Sequence, residues 1–280
     1  MKKTIFTLVI GLLLSATAFA QTAKELYEEG NAYYDKGDYA SAFEKYILAA
    51  YQGDKYAQNK LGYMYKSGEG TQQNFQKAVE WYRKAADQGL DKAQCNLGIM
   101  YANGYGVEQD YKKAVEWYRK AADQGYAQAQ GNLGVMYFYG HGVEQDYKKA
   151  EEWFRKAAEQ GDEKALCNLG LMYEHGDGVE QDYKKAVEWY RKAAEQGYAD
   201  AQCNLGVMYF YGNGVEQDYK KAVEWYRKAA DQGDDVAQYN LGLMYEYGNG
   251  VPKDRQEAKK WYKKAADQGY QEAIDKLKSF

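Results

Sequence analysis

The sequence predicts an all-α solenoid built from helix-turn-helix repeats. One phrase, YKKAVEWYRKAADQG from Tyr111, returns nearly unchanged at Tyr147, Tyr183 and Tyr219, each 36 residues on. All six tryptophans share one phase of that period: Trp81, Trp117, Trp153, Trp189, Trp225 and Trp261. Glycines divide each period into two helix-length runs, and proline occurs only at Pro252. A period of this length signals stacked units, each covering its neighbour's apolar face.

The first element is a leader. MKKTIFTLVIGLLLSATAFA has Lys2 and Lys3, an apolar run from Ile5 to Leu14, and a small-x-small end at Ala18-Phe19-Ala20. These features predict a secretory signal peptide over residues 1–20, with a run too short for a membrane span of about 20 residues. No cysteine follows at Gln21, so no lipid anchor is expected there. The expectation is an exported protein, periplasmic or secreted, without integral membrane insertion. Removing Lys2 and Lys3 leaves 35 cations against 41 acids, a net charge of −6. An acidic chain lacks the electrostatic term that phosphate backbones reward, and its cations are interleaved with acids at helical spacing. Nucleic acid is therefore excluded as the expected partner.

Residues 21–53 form the second element, two short helices around Lys36-Gly37-Asp38. Six gapless units follow: 54–89, 90–125, 126–161, 162–197, 198–233 and 234–269. In 126–161, Ala129, Leu133, Met136 and Tyr137 lie on one helical stripe. Gly140 and Gly142 then break the helix, since glycine adopts the positive φ a turn needs. Asp146 is the N-cap of the second helix, Tyr147, Ala150, Phe154, Ala157 and Ala158 are its apolar face, and Gly161 ends it. Small residues such as Gly134 and Ala150 permit close helix approach. A buried tryptophan contributes roughly 4–6 kcal/mol of gross stabilisation, so the tryptophans are expected to join the repeats. Residues 270–280, YQEAIDKLKSF, start one more first helix, which is expected to cap the C-terminal end.

AQCNLGVMYFYGNGVEQDYKKAVEWYRKAADQG resembles a Sel1-like repeat, a relative of the tetratricopeptide repeat with a longer turn. The marks are A-x-x-x-L-G-x-x-Y, a G-x-G turn, V-x-x-D-x-x-x-A and W-Y-x-K-A-A-x-x-G, and they cover residues 54–269. The first unit departs at Thr71 and Asn74, the last at Pro252 and Arg255. Residues 21–53 resemble an ordinary tetratricopeptide unit at Leu26, Gly30, Tyr33, Ala42, Tyr46 and Ala49. With its leader, the chain resembles the exported bacterial members of the family.

The six copies keep their second helices and vary their first. In 198–233 the varied residues Asp200, Cys203, Val207, Phe210 and Tyr211 make one stripe. In the tetratricopeptide relatives that stripe lines a concave groove, so the resemblance implies a groove here. Its expected partner-binding residues are Lys66, Phe138, Tyr139, Glu174, His175, Phe210, Tyr211, Tyr239, Glu246 and Tyr247. Exposed aromatics are frequent interface anchors.

Catalytic chemistry finds little support. Cysteine-rich relatives have been labelled β-lactamases, but none of Ser41, Ser67 and Ser279 is followed three residues on by lysine. His141 and His175 are the only histidines and are expected in turns, too few for a zinc site. Glu116 and Glu152 recur beside Lys and Arg as solvated ion-pair partners. Cys95, Cys167 and Cys203 share one phase, where neighbouring copies should stand roughly 10 Å apart, too far for a disulfide. They are expected to be small packing residues, with a thiol facing the groove as the sharper alternative. No cofactor or metal is expected. The expected function is a non-enzymatic scaffold for a protein or peptide ligand. The alternatives are a cell-wall or β-lactam-binding protein and a self-associating repeat.

Overall fold

The computed structural model describes residues 21–280, and the expected leader at 1–20 lies outside the described residues. The described residues form fifteen α-helices and no strand. They are α1 (Ala23–Tyr34), α2 (Tyr39–Tyr51), α3 (Lys55–Ser67), α4 (Phe75–Asp87), α5 (Asp91–Asn103), α6 (Tyr111–Asp123) and α7 (Ala127–Tyr139). There follow α8 (Tyr147–Glu159), α9 (Glu163–His175), α10 (Tyr183–Glu195), α11 (Ala199–Tyr211), α12 (Tyr219–Asp231), α13 (Asp235–Tyr247), α14 (Arg255–Asp267) and α15 (Gln271–Lys278). Odd-numbered helices are the first of each repeat and even-numbered ones the second. The chain divides at Gln145/Asp146 into two compact units, one ending with α7 and one beginning with α8. Within each unit every helix packs on the next, which is the all-α solenoid.

Local chemistry explains each repeat. Second helices open on a side-chain cap: the Asp110, Asp146 and Asp218 carboxylates accept the backbone N–H three residues on. First helices from α3 to α13 end on a left-handed glycine, such as Gly140 at φ 71° and Gly212 at φ 75°. The stripe Ala129, Leu133, Met136 and Tyr137 is buried, as are Ala150, Phe154, Ala157 and Ala158.

Of the tryptophans expected to join neighbouring repeats, Trp81 meets Tyr51 of the preceding repeat at 5.5 Å, whereas within a repeat a different aromatic joins the two helices. Trp81 and Trp261 are buried, but Trp117, Trp153, Trp189 and Trp225 are half-exposed. Each tryptophan lies under the lysine three residues on, as Trp117 does under Lys120 at 3.9 Å and Trp225 under Lys228 at 3.8 Å. The next residue does the joining. Tyr82, Tyr118, Tyr190, Tyr226 and Tyr262 are buried against Gly62, Gly98, Gly170, Gly206 and Gly242 of the first helix. A Cβ on Gly206 would stand 2.6 Å from the Tyr226 ring. The L-G pair of the first helix is thus the seat for the W-Y pair of the second.

Neighbouring repeats are also tied by buried polar bonds. Buried Gln202 donates to the Ala194 carbonyl at 3.0 Å and accepts from Gln232 at 2.8 Å. Gln58, Gln94 and Gln238 do the same with Ala50 and Gln88, Ala86 and Gln124, and Ala230 and Gln268. Leu166 stands in this position of one repeat and interrupts the ladder. Arginines of second helices donate to the next repeat's tyrosine, as Arg119 does to Tyr137 at 2.8 Å and Arg191 to Tyr209 at 3.2 Å. The second glycine of each G-x-G turn rests on the start of the preceding second helix. A Cβ on Gly214 would meet the Tyr183 carbonyl oxygen at 2.3 Å.

The first pair, α1 and α2, follows the same logic. Tyr46 is fully buried over Gly30 and donates to Asn31 at 2.7 Å, while Tyr33, one of its expected marks, is exposed. At the other end α15 packs on α14 through Ala273. No helix among the described residues is long and apolar enough to cross a membrane.

Candidate functional site

The varied positions fall at two adjacent registers near the C-terminal end of successive first helices. In residues 21–145 these include Lys66 on α3 and Phe138 and Tyr139 on α7. In residues 146–280 they are Glu174 and His175 on α9, Phe210 and Tyr211 on α11, and Glu246 and Tyr247 on α13. The second register is the exposed one. Tyr139, Tyr211 and Tyr247 are 61%, 65% and 59% exposed, well above what a packing role would leave. Two of the rings, Tyr139 and Tyr211, are nevertheless braced by a neighbouring phenylalanine. Phe138 meets Tyr139 edge-on at 5.0 Å and Phe210 meets Tyr211 at 4.9 Å. Rings held in this way lose little side-chain entropy on binding.

The first register is half-buried and shapes the surface from below. Glu174 accepts from the Tyr190 hydroxyl at 2.6 Å, and Glu246 from the Tyr262 hydroxyl at 2.5 Å. Burial, with these hydrogen bonds to carboxylates, raises both tyrosines above the ordinary phenol range. Phe210 packs on Tyr219 at 5.3 Å. Lys66 is half-buried, and its carbonyl accepts from Gln73 at 2.9 Å.

Two expected groove residues serve the C-terminal end instead. Tyr239 packs between Tyr262 at 5.5 Å and Tyr270 at 5.3 Å, because a large ring at the Cys203 register fills the space beside the last repeat. Glu246 forms an ion pair with Lys276 of α15 at 2.9 Å. Burial opposes its ionisation, but Tyr262 and Lys276 together hold its carboxyl below the usual range.

The groove-facing thiol is corrected. Cys95, Cys167 and Cys203 are buried and take part in no disulfide among the described residues. Burial pushes the Cys167 thiol up to about 12 and raises Cys203 as well, so neither is a ready thiolate. Their sulfurs help join first helices: Asn132 donates to Cys95 Sγ and Asn204 to Cys167 Sγ, both at 3.7 Å. His175 closes a helix and does not lie in a turn, whereas His141 is in its turn, stacked on Tyr111 at 4.7 Å. No group of three metal-binding side chains gathers among the described residues. Glu116 and Glu152 are solvated as expected, but the ion pairs of those helices run from Lys113 and Lys149 to the N-cap Asp110 and Asp146, and from Arg155 to Glu151.

Charge also differs along the first helices. α3 carries Lys55, Lys60 and Lys66 and no acid. α9, α11 and α13 carry Glu163, Glu174, Asp200, Asp235 and Glu246 against one lysine, Lys164, and no arginine. The surface at the variable registers of residues 146–280 is therefore aromatic and acidic. It offers shape, ring faces and negative charge, with no nucleophile or metal cluster.

Known proteins bear on this arrangement. The Sel1 repeat model matches residues 20–54, 55–90, 91–126, 127–162, 163–198, 199–234 and 235–270. It thus extends over the first pair, although that pair has a short turn. No curated protein matches the chain. Among solved structures, c5321, a protective antigen of uropathogenic Escherichia coli with an SLR fold, is 40% identical over 94% of this chain, with a TM-score of 0.78. This chain spans 57% of that one. A Sel1 repeat protein from Oxalobacter formigenes is 36% identical over 86% of this chain and 96% of its own, with a TM-score of 0.80. An immunity protein, Pa5087 of Pseudomonas aeruginosa, is 26% identical over 76% of this chain and 81% of its own, with a TM-score of 0.52. With seven matched repeats and the tyrosine-on-glycine seat repeated through both units, the chain belongs to the Sel1 repeat family.

Proposed function

We propose that this protein is an exported, non-enzymatic scaffold that holds a protein or peptide segment on the first-helix side of its repeats. The observation that carries the reading is the contrast between registers. The second helices are nearly invariant and mutually bonded, while the first helices display braced tyrosines that are about three-fifths exposed. Large rings left in water on a rigid frame are the residues that anchor interfaces. Sel1 repeats commonly serve protein interaction, which supports the reading. The leader-like residues 1–20 support the export in this reading, to a periplasm or beyond the cell.

The test is affinity capture with residues 21–280 as bait, read by mass spectrometry. The control is the Tyr139→Glu, Tyr211→Glu, Tyr247→Glu variant. All three rings are exposed, so helicity should stay unchanged while each lost anchor weakens binding by about 2 kcal/mol. A partner retained equally by the variant would rule out the tyrosines as the contact.

A further inference from the structure

This inference rests on the peptide-binding reading and names the chemistry that one part of the face accepts. The last full repeat shows how these registers treat a cation. Glu246 Oε2 accepts from Tyr262 Oη at 2.5 Å and lies 2.9 Å from Lys276 Nζ. The same ammonium stands 5.6 Å from the Tyr247 ring centre and 6.0 Å from that of Tyr262. A glutamate, a fixed tyrosine hydroxyl and two ring faces thus hold one lysine. Both polar contacts fall on a single carboxylate oxygen. That geometry suits a point-charge ammonium better than the paired donors of a guanidinium.

Two repeats earlier the same registers read Glu174, Tyr190 and His175. Glu174 Oε2 accepts from Tyr190 Oη at 2.6 Å, so the carboxylate is set in the same way. The lysine is what differs. The register of Lys276 is held here by Asn204, whose amide is turned to Cys167 Sγ. Among the described residues, Tyr190 is the one side chain bonded to the Glu174 carboxylate. The first 36-residue repeat also has a lysine at this register: Lys60 reaches back to the ring of Tyr34, at 4.6 Å. A lysine here therefore points to the preceding repeat at both places where the chain supplies one. Around Glu174 the first helices are acidic, and Tyr211 on the next first helix, α11, is exposed.

We propose that Glu174, oriented by Tyr190, receives the ammonium of a lysine in the bound peptide, as Glu246 receives Lys276 within the chain. The occupant is a peptide segment with a lysine at a fixed place, chosen by charge complementarity to α9, α11 and α13.

The test is selection of a phage-displayed random decapeptide library on residues 21–280 in three forms: unchanged, Glu174→Gln and Asn204→Lys. Glutamine still accepts from Tyr190 but carries no charge. Asn204→Lys supplies the ammonium internally. Peptides enriched on the unchanged protein should share one lysine. A synthetic peptide from that set should bind Glu174→Gln at least about tenfold more weakly, the size of one charged hydrogen bond. Replacing its lysine by norleucine should cost the same factor, with little added loss when the two changes are combined. Asn204→Lys should still enrich peptides, without the lysine. Enriched peptides lacking a fixed lysine, or equal binding to Glu174→Gln, would overturn the lysine seat and leave peptide binding standing. Absence of enrichment on all three forms would overturn both.

Discussion

Gly214 and Gly233 both have positive φ, 70° and 99°, yet they are not equivalent. An alanine at Gly233 meets nothing within 4 Å, so it costs only the left-handed backbone, about 1–2 kcal/mol. An alanine at Gly214 adds a Cβ 2.3 Å from a backbone oxygen that cannot swing aside. Its cost should exceed that of Gly233→Ala by about 1–3 kcal/mol, which thermal unfolding of the two variants checks. The sequence showed both glycines as helix stops. It did not show that one of them also seats on the preceding repeat, because that contact joins residues 31 apart and leaves no local pattern. The W-Y pair hid its contact within the repeat for a similar reason. Both residues recur in phase, and size alone pointed to tryptophan, but the glycine seat accepts the ring of the second. The glutamine ladder was legible in principle: Gln58, Gln94, Gln130, Gln202 and Gln238 recur at an otherwise apolar face, where a buried amide must find partners.

Helix starts carry two kinds of aspartate with opposite responses to acid. The N–H of Lys221 donates to Asp218 and, with the Lys221 ammonium beside it, holds that carboxyl below its usual range. A depressed carboxyl stabilises the fold above its unfolded value near 4, and this is lost as pH falls through the lower folded value. Burial, reinforced by the nearby Asp200 and Asp235, raises the carboxyl of Asp234, which caps α13. Its ionisation opposes folding at neutral pH, and the opposition fades as pH falls through the raised folded value. Asparagine caps as well as aspartate does. Asp234→Asn should therefore raise the melting temperature at pH 7 by a few degrees and lose that gain below about pH 4. Asp218→Asn should lower it slightly at pH 7 and flatten its acid dependence. Melting curves from pH 3 to 8 distinguish the two signs. The second-helix caps were legible from D-Y-K-K alone. Burial at Asp234 was not, since it depends on what the neighbouring repeat brings to the same edge.

Stability of the whole molecule is a sum over repeats and their nearest neighbours. Ending the chain at Gly269 removes Lys276 from Glu246, Tyr270 from Tyr239 and Phe280 from Tyr262. Hydrogen exchange should then quicken in α13 and α14 and stay nearly unchanged in α9 and α10. Equal acceleration throughout would mean that the unit opens as one body. The period, the class of fold and the exposed tyrosines were all readable from six internal copies. The capping cluster was not, because Tyr239 shares its register with buried cysteines and Glu246 with half-buried Phe138, Glu174 and Phe210, and nothing local marks the contacts they make to α15. The seat of each second turn glycine also gives the repeats a direction. Gly178 rests on Tyr147, Gly214 on Tyr183 and Gly250 on Tyr219, each on a helix nearer the N-terminus. A growing chain presents that helix first, so every new turn meets a template already made. Synthesis order and docking order coincide, and no repeat has to wait for a later one to complete its turn.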